Sequence, residues 1–271
     1  MMGDDTGDIR QFYDDSVEKE DTRLGRHQLE HDMTWRYLDK YLPRRGKILE
    51  IGCATGAYTI PLAKRGYHVT AVDFAAKEVE LCREKVKGEH LEKQVTCLVA
   101  DGRDLADITE NDYDAALLMG PLYHLVLEED RRTVIQQAFK HLKSGGLVFS
   151  TFVSRYGIWN DIISKLPHYI ELQKDVHSVI FEGKDADLAY QKGNFRGYFA
   201  APEEIIPMHE KIGFKKIVLA GIEAGGVRDE PYNSLKGKRR DMWLDLLFSI
   251  STQPSIIGAS NHILYIGEKE R

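Results

Sequence analysis

Two kinds of apolar pattern alternate along this chain. From Gln28 to Leu42, the residues Leu29, Met33, Tyr37, Leu38, Tyr41 and Leu42 recur at helical spacing, and Pro43 stops the pattern. Helical periodicity returns at Ala57 to Ala63, Ala76 to Lys87, Glu128 to Leu142 and Pro202 to Ile212. Between these stretches lie short, nearly continuous apolar runs at Ile48 to Ile51, Tyr67 to Val72, Val95 to Ala100, Tyr113 to Met119 and Gly145 to Phe152. Runs of that length, rich in Val, Ile and aromatic residues, predict strands buried on both faces. Lys216 to Ala220 and His262 to Gly267 supply two more. The alternation predicts an α/β fold: a seven-stranded, mostly parallel sheet sandwiched by helices.

The first strand carries an acid. Glu50 lies inside the run Ile48-Leu49-Glu50-Ile51, which passes into Gly52-Cys53-Ala54-Thr55-Gly56 and then a helix. Glycines at such a turn let backbone and ligand approach closely, and the amides of the following helix start face that ligand. A buried acid at the same place suits a ligand with a positively charged or hydroxyl-rich end. A second acid, Asp73, closes the next strand, which gives a strand, turn, helix, strand unit of the nucleotide-binding kind. A dinucleotide fingerprint would read G-x-G-x-x-G. Here the spacing is Gly52, Ala54, Gly56, which fits a pyrophosphate poorly.

Glu50-x-Gly52-x-Ala54-x-Gly56 followed by Val72-Asp73 resembles motif I and the next acidic position of class I S-adenosylmethionine (SAM) methyltransferases. The resemblance covers about residues 45 to 153 and, more weakly, Pro202 to Ala220 and the last strand. It implies a Rossmann-like core with SAM as cofactor. It further implies that Asp73 accepts hydrogen bonds from the ribose hydroxyls, that Asp101 and Gly102 meet the adenine, and that Phe74 lines the adenine pocket. The backbone near Met119 would hold the cofactor's amino group, and Tyr13 would touch the cofactor from an N-terminal helical lid. The fourth strand ends in Met119-Gly120-Pro121-Leu122-Tyr123-His124, where a ligand in an open α/β sheet meets the strand ends. That segment lacks the Asn/Asp-Pro-Pro-aromatic motif of amino-methyltransferases acting on DNA bases or protein amides, and it has no thiol. Tyr123 and His124 remain as the catalytic candidates, with His124 the candidate base because an ordinary imidazole titrates near neutrality.

On this reading residues 1–44 are the helical lid and 45–153 the cofactor core. Residues 154–201 are an inserted cap over the substrate, and 202–271 complete the core with a second insertion near 224–261. The cap segment is rich in aromatic residues, Tyr156, Trp159, His168, Tyr169, His177, Phe181, Tyr190, Phe195, Tyr198 and Phe199, which would bury an organic acceptor or give the cap its own core. The amphipathic run Met242, Leu244, Leu246, Leu247, Ile250 leaves a homodimer contact and cap packing as alternatives.

Composition narrows the partners. A net charge of -6 gives no general attraction for polyanions, although Lys236-Gly237-Lys238-Arg239-Arg240 is a local basic patch, so nucleic acid is disfavoured as substrate. No apolar run approaches the roughly 18 residues that span a bilayer, and Met1-Met2-Gly3-Asp4-Asp5 is acidic rather than signal-like, so no membrane partner and a cytoplasmic location are expected. Cys53, Cys82 and Cys97 lack metal or redox spacing, and neither a disulfide nor a metal site is expected. The resulting expectation is a methyltransferase acting on oxygen or nitrogen of a small molecule. A SAM-binding sensor or regulatory subunit and an RNA methyltransferase are the alternatives.

Overall fold

The computed structural model describes residues 6–165, 167–171, 176–185, 197–223, 225, 227 and 229–270, without the side chains of Lys165 and Asp185. Tyr190 and Phe195 of the expected cap lie outside the described residues. Four helices come first: α1 Gly7–Asp15, α2 Val17–Asp21, α3 Arg23–Arg26 and α4 Gln28–Tyr41. The last ends as the sequence predicts. Leu42 is extended, at φ -63° and ψ 140°, because the ring of Pro43 excludes the helical region for the residue before it.

The sheet contains β1 Lys47–Ile51, β2 His68–Asp73, β3 Val95–Val99, β4 Tyr113–Leu118, β5 Leu142–Ser154, β8 Phe214–Gly221 and β9 His262–Lys269, in the order β3-β2-β1-β4-β5-β9-β8. The strands from β1 to β5 are parallel, and β9 is antiparallel to both β5 and β8. These are the seven expected strands. Crossovers between the parallel strands run through α5 Thr59–Lys64, α6 Ala76–Gly88 and α7 Glu128–His141.

Because side chains alternate along a strand, one strand feeds two cores. Ile48, Ala115 and Leu117 point to the face covered by α4, α5 and α6, where they meet Leu29, Met33, Leu38, Leu62 and Cys82. Leu49, Ile51, Ala116 and Leu118 point to the other face, against Val134, Ile135 and Ala138 of α7. Each such aliphatic side chain, taken fully out of water, contributes about 1.5–3 kcal/mol. These layers are largely apolar, with a buried polar group such as Ser150 Oγ paired, here to His209 Nε2 at 3.0 Å, and acidic side chains collect at the carboxyl end of the sheet.

Residues 154–201 do not stand wholly apart from the sheet. Gly197–Ala200 forms β7, which runs parallel to β5 beyond the end of β4, and it pairs with the two-residue β6, Lys184–Asp185. The segment also contains α8, Trp159–Lys165. Val179 and Phe199 make a small core with Val153, and Tyr123, Ile158 and Trp159 pack against it. No helix among the described residues is long and apolar enough to cross a membrane.

Candidate cofactor and acceptor site

Beyond the carboxyl ends of β1, β2, β3 and β4 lies one cleft enclosing about 1060 Å³ of space, part of it open to solvent. Of the residues singled out in the sequence, Tyr13, Glu50, Gly52, Ala54, Asp73, Phe74, Asp101, Gly102, Met119, Tyr123 and His124 all line it. Gly56 does not. It turns the chain behind the wall at φ +87°, where an added Cβ would stand 2.7 Å from Cys82 Sγ.

The loop after β1 takes its shape from three left-handed residues, Gly52 at φ +83°, Ala54 at φ +46° and Gly56 at φ +87°. Ala54 is the exception, since a side chain in this region crowds the backbone. What holds it there is visible: its N–H donates to Asp73 Oδ2 at 2.9 Å, and Ala75 N–H donates to Oδ1 at 2.9 Å. Asp73 is thereby fixed by backbone on both oxygens, with lone pairs left for a ligand. At Gly52 an added Cβ would come within 2.9 Å of Pro121, so the β1 and β4 loops touch there.

The lining is acidic. Among the described residues, Glu20, Asp21, Glu50, Asp73, Glu78 and Asp101 face the cleft together with one permanent cation, Arg23. Three of the acids are neutralised: Glu20 by Arg23 at 2.9 Å, Asp21 by Lys85, and Asp101 by Arg103 at 2.7 Å. Arg103 outweighs burial and holds the Asp101 carboxyl below the usual range. Glu50, Asp73 and Glu78 meet no cationic side chain among the described residues. Burial pushes Asp73 up to about 6 although three backbone amides oppose the shift. Glu50, 1% exposed, rises to about 8 through burial and the nearby Asp73, against the hydrogen bond from Thr59 Oγ1 at 2.5 Å. Glu78 rises to about 9 through burial and neighbouring acids, and among the described residues its Oε1 is buried without a hydrogen-bond partner. Such a group is costly in the empty protein and suits a ligand bearing N–H, O–H or positive charge.

Sequence reasoning missed Glu78. An acid in the first turn of α6 reads as a complement to the helix dipole, and only the turn at Asp73 to Ala75 aims it into the cleft. It also missed most of the N-terminal contribution, because Thr6, Ile9, Glu20, Asp21, Arg23 and Leu24 join Tyr13 in the wall. None of the described residues of 154–201 lines the cleft. That segment reaches the site through the packing of Tyr123.

On the β4 side, Tyr13 Oη lies 2.8 Å from His124 Nε2 and the Tyr123 ring centroid 4.6 Å from that of His124. Burial, with Arg23 adding to it, pushes His124 down to about 3. The near-neutral titration that made this histidine a candidate base from sequence is therefore absent. The imidazole is neutral across the physiological range.

Residues 48–146 match the family model described as a methyltransferase domain. The chain is 32% identical to a ubiquinone biosynthesis O-methyltransferase of Hydrogenovibrio crunogenus over 40% of this chain and 43% of that protein. It is 28% identical to a carboxy-S-adenosyl-L-methionine synthase of Shewanella loihica over 41% and 46% respectively. The chain thus spans about half the length of the curated relatives it matches. A SAM-dependent methyltransferase of Methanosarcina mazei superposes with a TM-score of 0.59 at 16% identity, over 86% of this chain and 97% of that one, a likeness of fold.

Proposed function

We propose, from the match of residues 48–146 to a methyltransferase-domain model, that this chain is a class I SAM-dependent methyltransferase and transfers a methyl group from SAM to an oxygen or nitrogen of a small-molecule acceptor. One observation carries the cofactor reading: three buried carboxyl groups, Glu50, Asp73 and Glu78, face one cleft and have no cationic partner among the described residues. A zwitterion with an added sulfonium charge supplies what they lack, whereas a pyrophosphate would add to the negative charge. SAM when bound supplies an electrophilic methyl carbon.

The remaining assignments concern this chain's own groups. Asp73, locked by two amides, takes the ribose hydroxyls as a charge-assisted acceptor. Glu50 and Glu78 hold the positive and N–H-bearing parts of the ligand, Phe74 and the Asp101–Gly102 turn enclose the adenine, and the Met119 backbone meets the amino group. Gly52 and Ala54 let the loop pass close to the ligand, and Tyr13 closes it from the N-terminal side. Tyr123 and His124 form the acceptor side. A neutral His124 aligns the acceptor by accepting its hydrogen bond at Nε2, in the place Tyr13 Oη takes in the structure. A base this weak does not ionise an alcohol beforehand. It suffices once the new C–O bond has made the proton strongly acidic, so alignment carries more of the rate than deprotonation.

Calorimetric titration with SAM, followed by methyl-labelled SAM offered to separate small-molecule and bulk RNA fractions, tests the reading. Label in the small-molecule fraction and binding in the micromolar range or tighter are the expected results. Binding without turnover on any fraction would instead support a sensor, and label in RNA with strongly salt-dependent binding would overturn the small-molecule acceptor.

A further inference from the structure

Outside the cleft wall, His27, Glu30 and Glu223 each present a donor atom, and these atoms lie within 4.8 Å of one another. They come from distant parts of the chain. His27 and Glu30 lie at the start of α4, while Glu223 follows β8. Both carboxylates are buried, at 5% exposure. A fourth donor stands beside them: His262 Nδ1 is 2.7 Å from Glu223 Oε2 and 4.0 Å from Glu30 Oε2.

Two independent features mark this as more than a group of acids. Asp229 Oδ2 lies 2.9 Å from His27 Nδ1, the arrangement in which a carboxylate behind an imidazole fixes its tautomer and raises its basicity toward a metal. The charge is also uneven: Arg23 pairs with both Glu20 and Glu30, while Asp229 faces His27 and Glu223 faces His262, so among the described residues these four carboxyl groups meet one permanent cation and two imidazoles. Arg23 donates to Glu30 at 2.9 and 3.2 Å, which takes two of about four lone-pair positions on that carboxylate and leaves the others.

We propose that His27, Glu30 and Glu223 bind one divalent first-row transition-metal ion, with His262 in its neutral form as a fourth ligand. Two imidazoles with two carboxylates suit manganese, iron, cobalt or zinc, and magnesium or calcium much less, because hard cations take all-oxygen sets. The ion fastens the N-terminal helices to the segment after β8 and to the start of β9. It does so behind the cleft, where Arg23 and Tyr123 are wall residues and the Tyr123 ring stands 6.3 Å from that of His262. No short motif joins donors at positions 27, 30, 223 and 262, so the group is not legible in the sequence.

The test uses the full chain, stripped with chelator and then titrated with cobalt(II) and zinc(II), read by visible absorption, metal analysis and melting temperature. The expected result is one ion per chain, cobalt bands typical of mixed nitrogen and oxygen ligation, and a melting temperature raised by several degrees. His27→Ala and Glu223→Gln should each weaken binding at least ~100-fold, and Asp229→Asn, which removes no ligand, about 10-fold. The melting curve in chelator reports whether each variant folds, and Asp229→Asn keeps the test decisive if a ligand variant does not. No stoichiometric uptake would overturn the proposal, as would uptake that Asp229→Asn and the ligand variants leave unchanged. SAM binding measured in chelator reads the methyltransferase assignment separately.

Discussion

Glu30 and Glu78 are both glutamates in the first turn of a helix, both almost fully buried, and their carboxyl groups shift in opposite directions. Arg23 and His262 hold Glu30 down at about 2, against burial. Among the described residues nothing of the kind faces Glu78, which burial and the acids around it push up to about 9. The partner, not the depth of burial, decides which state the carboxyl keeps. In one region a cation faces the carboxyl group at close range, and in the other, among the described residues, none does.

The comparison is broken most directly by neutralising one acid in each region. Glu30→Gln takes the charge from the bidentate partner of Arg23, a part-buried guanidinium that keeps Glu20, and should destabilise the protein by about 3 kcal/mol at most in chemical denaturation. An unchanged midpoint would show that Arg23 finds solvent or another acid. In the cleft, Asp73→Ala should weaken SAM binding about 100-fold by calorimetry, near 2.7 kcal/mol at about 1.4 kcal/mol per decade. SAM affinity equal to that of the parent would remove Asp73 from the ribose. Glu78→Gln should have a mixed effect that nothing at Glu30 can imitate. The empty protein gains about 1–2 kcal/mol at pH 8, because a buried ionisable group is gone, while SAM binds more weakly. A loss of stability would mean that Glu78 has a partner in solution.

The pH dependence separates the two regions again, with metal removed by chelator. Asp73, Glu50 and Glu78 have folded values of about 6, 8 and 9, above their unfolded values near 4. Their contribution to stability is full in acid and is lost as pH rises through 6 to 9. Glu30, at about 2, contributes stability above pH 4.5 that is lost as pH falls toward 2. His262, raised to about 9 by Glu223 and Glu30 despite burial, contributes below pH 6.5 and loses that contribution as pH rises through 9. SAM should therefore bind more tightly as pH rises from 6 to 9, since the cleft acids need no longer release a proton. Saturating SAM should restore the alkaline loss due to the cleft but not that due to His262. Affinity flat over that range would place the ligand's positive charge away from the three acids.

The strands and the cleft were legible in the sequence to different degrees. Apolar runs at Ile48, Val69, Ala115 and Val148 are set by burial on both faces, a local property, and the seven strands follow from it. Glu50, Asp73 and Asp101 stand at strand ends, so knowing the strands locates them. Glu78, Arg23 and Glu223 are placed by packing between distant segments, and no spacing in the chain records that. Length and aromatic content make residues 154–201 read as a cap; of their described part, Gly197–Ala200 joins the sheet and none lines the cleft, whereas the N-terminal helices do line it. His124 was legible as a residue and not as a state, because its titration depends on burial and on Arg23, 101 positions away.

The smallest effect concerns the loop that holds Asp73. Ala54 keeps a left-handed backbone, φ +46°, so that its N–H reaches the carboxylate, and a β-carbon there costs about 1 kcal/mol relative to glycine. Glycine also gains freedom in the unfolded chain, which offsets part of the relief. Ala54→Gly should therefore stabilise the protein by no more than about 1 kcal/mol. Because the N–H and its carboxylate are untouched, the rise of SAM affinity with pH should keep its slope. A clear loss of affinity would mean that the Ala54 methyl group itself touches the ligand, making this residue part of the cleft's contact surface as well as the support of Asp73.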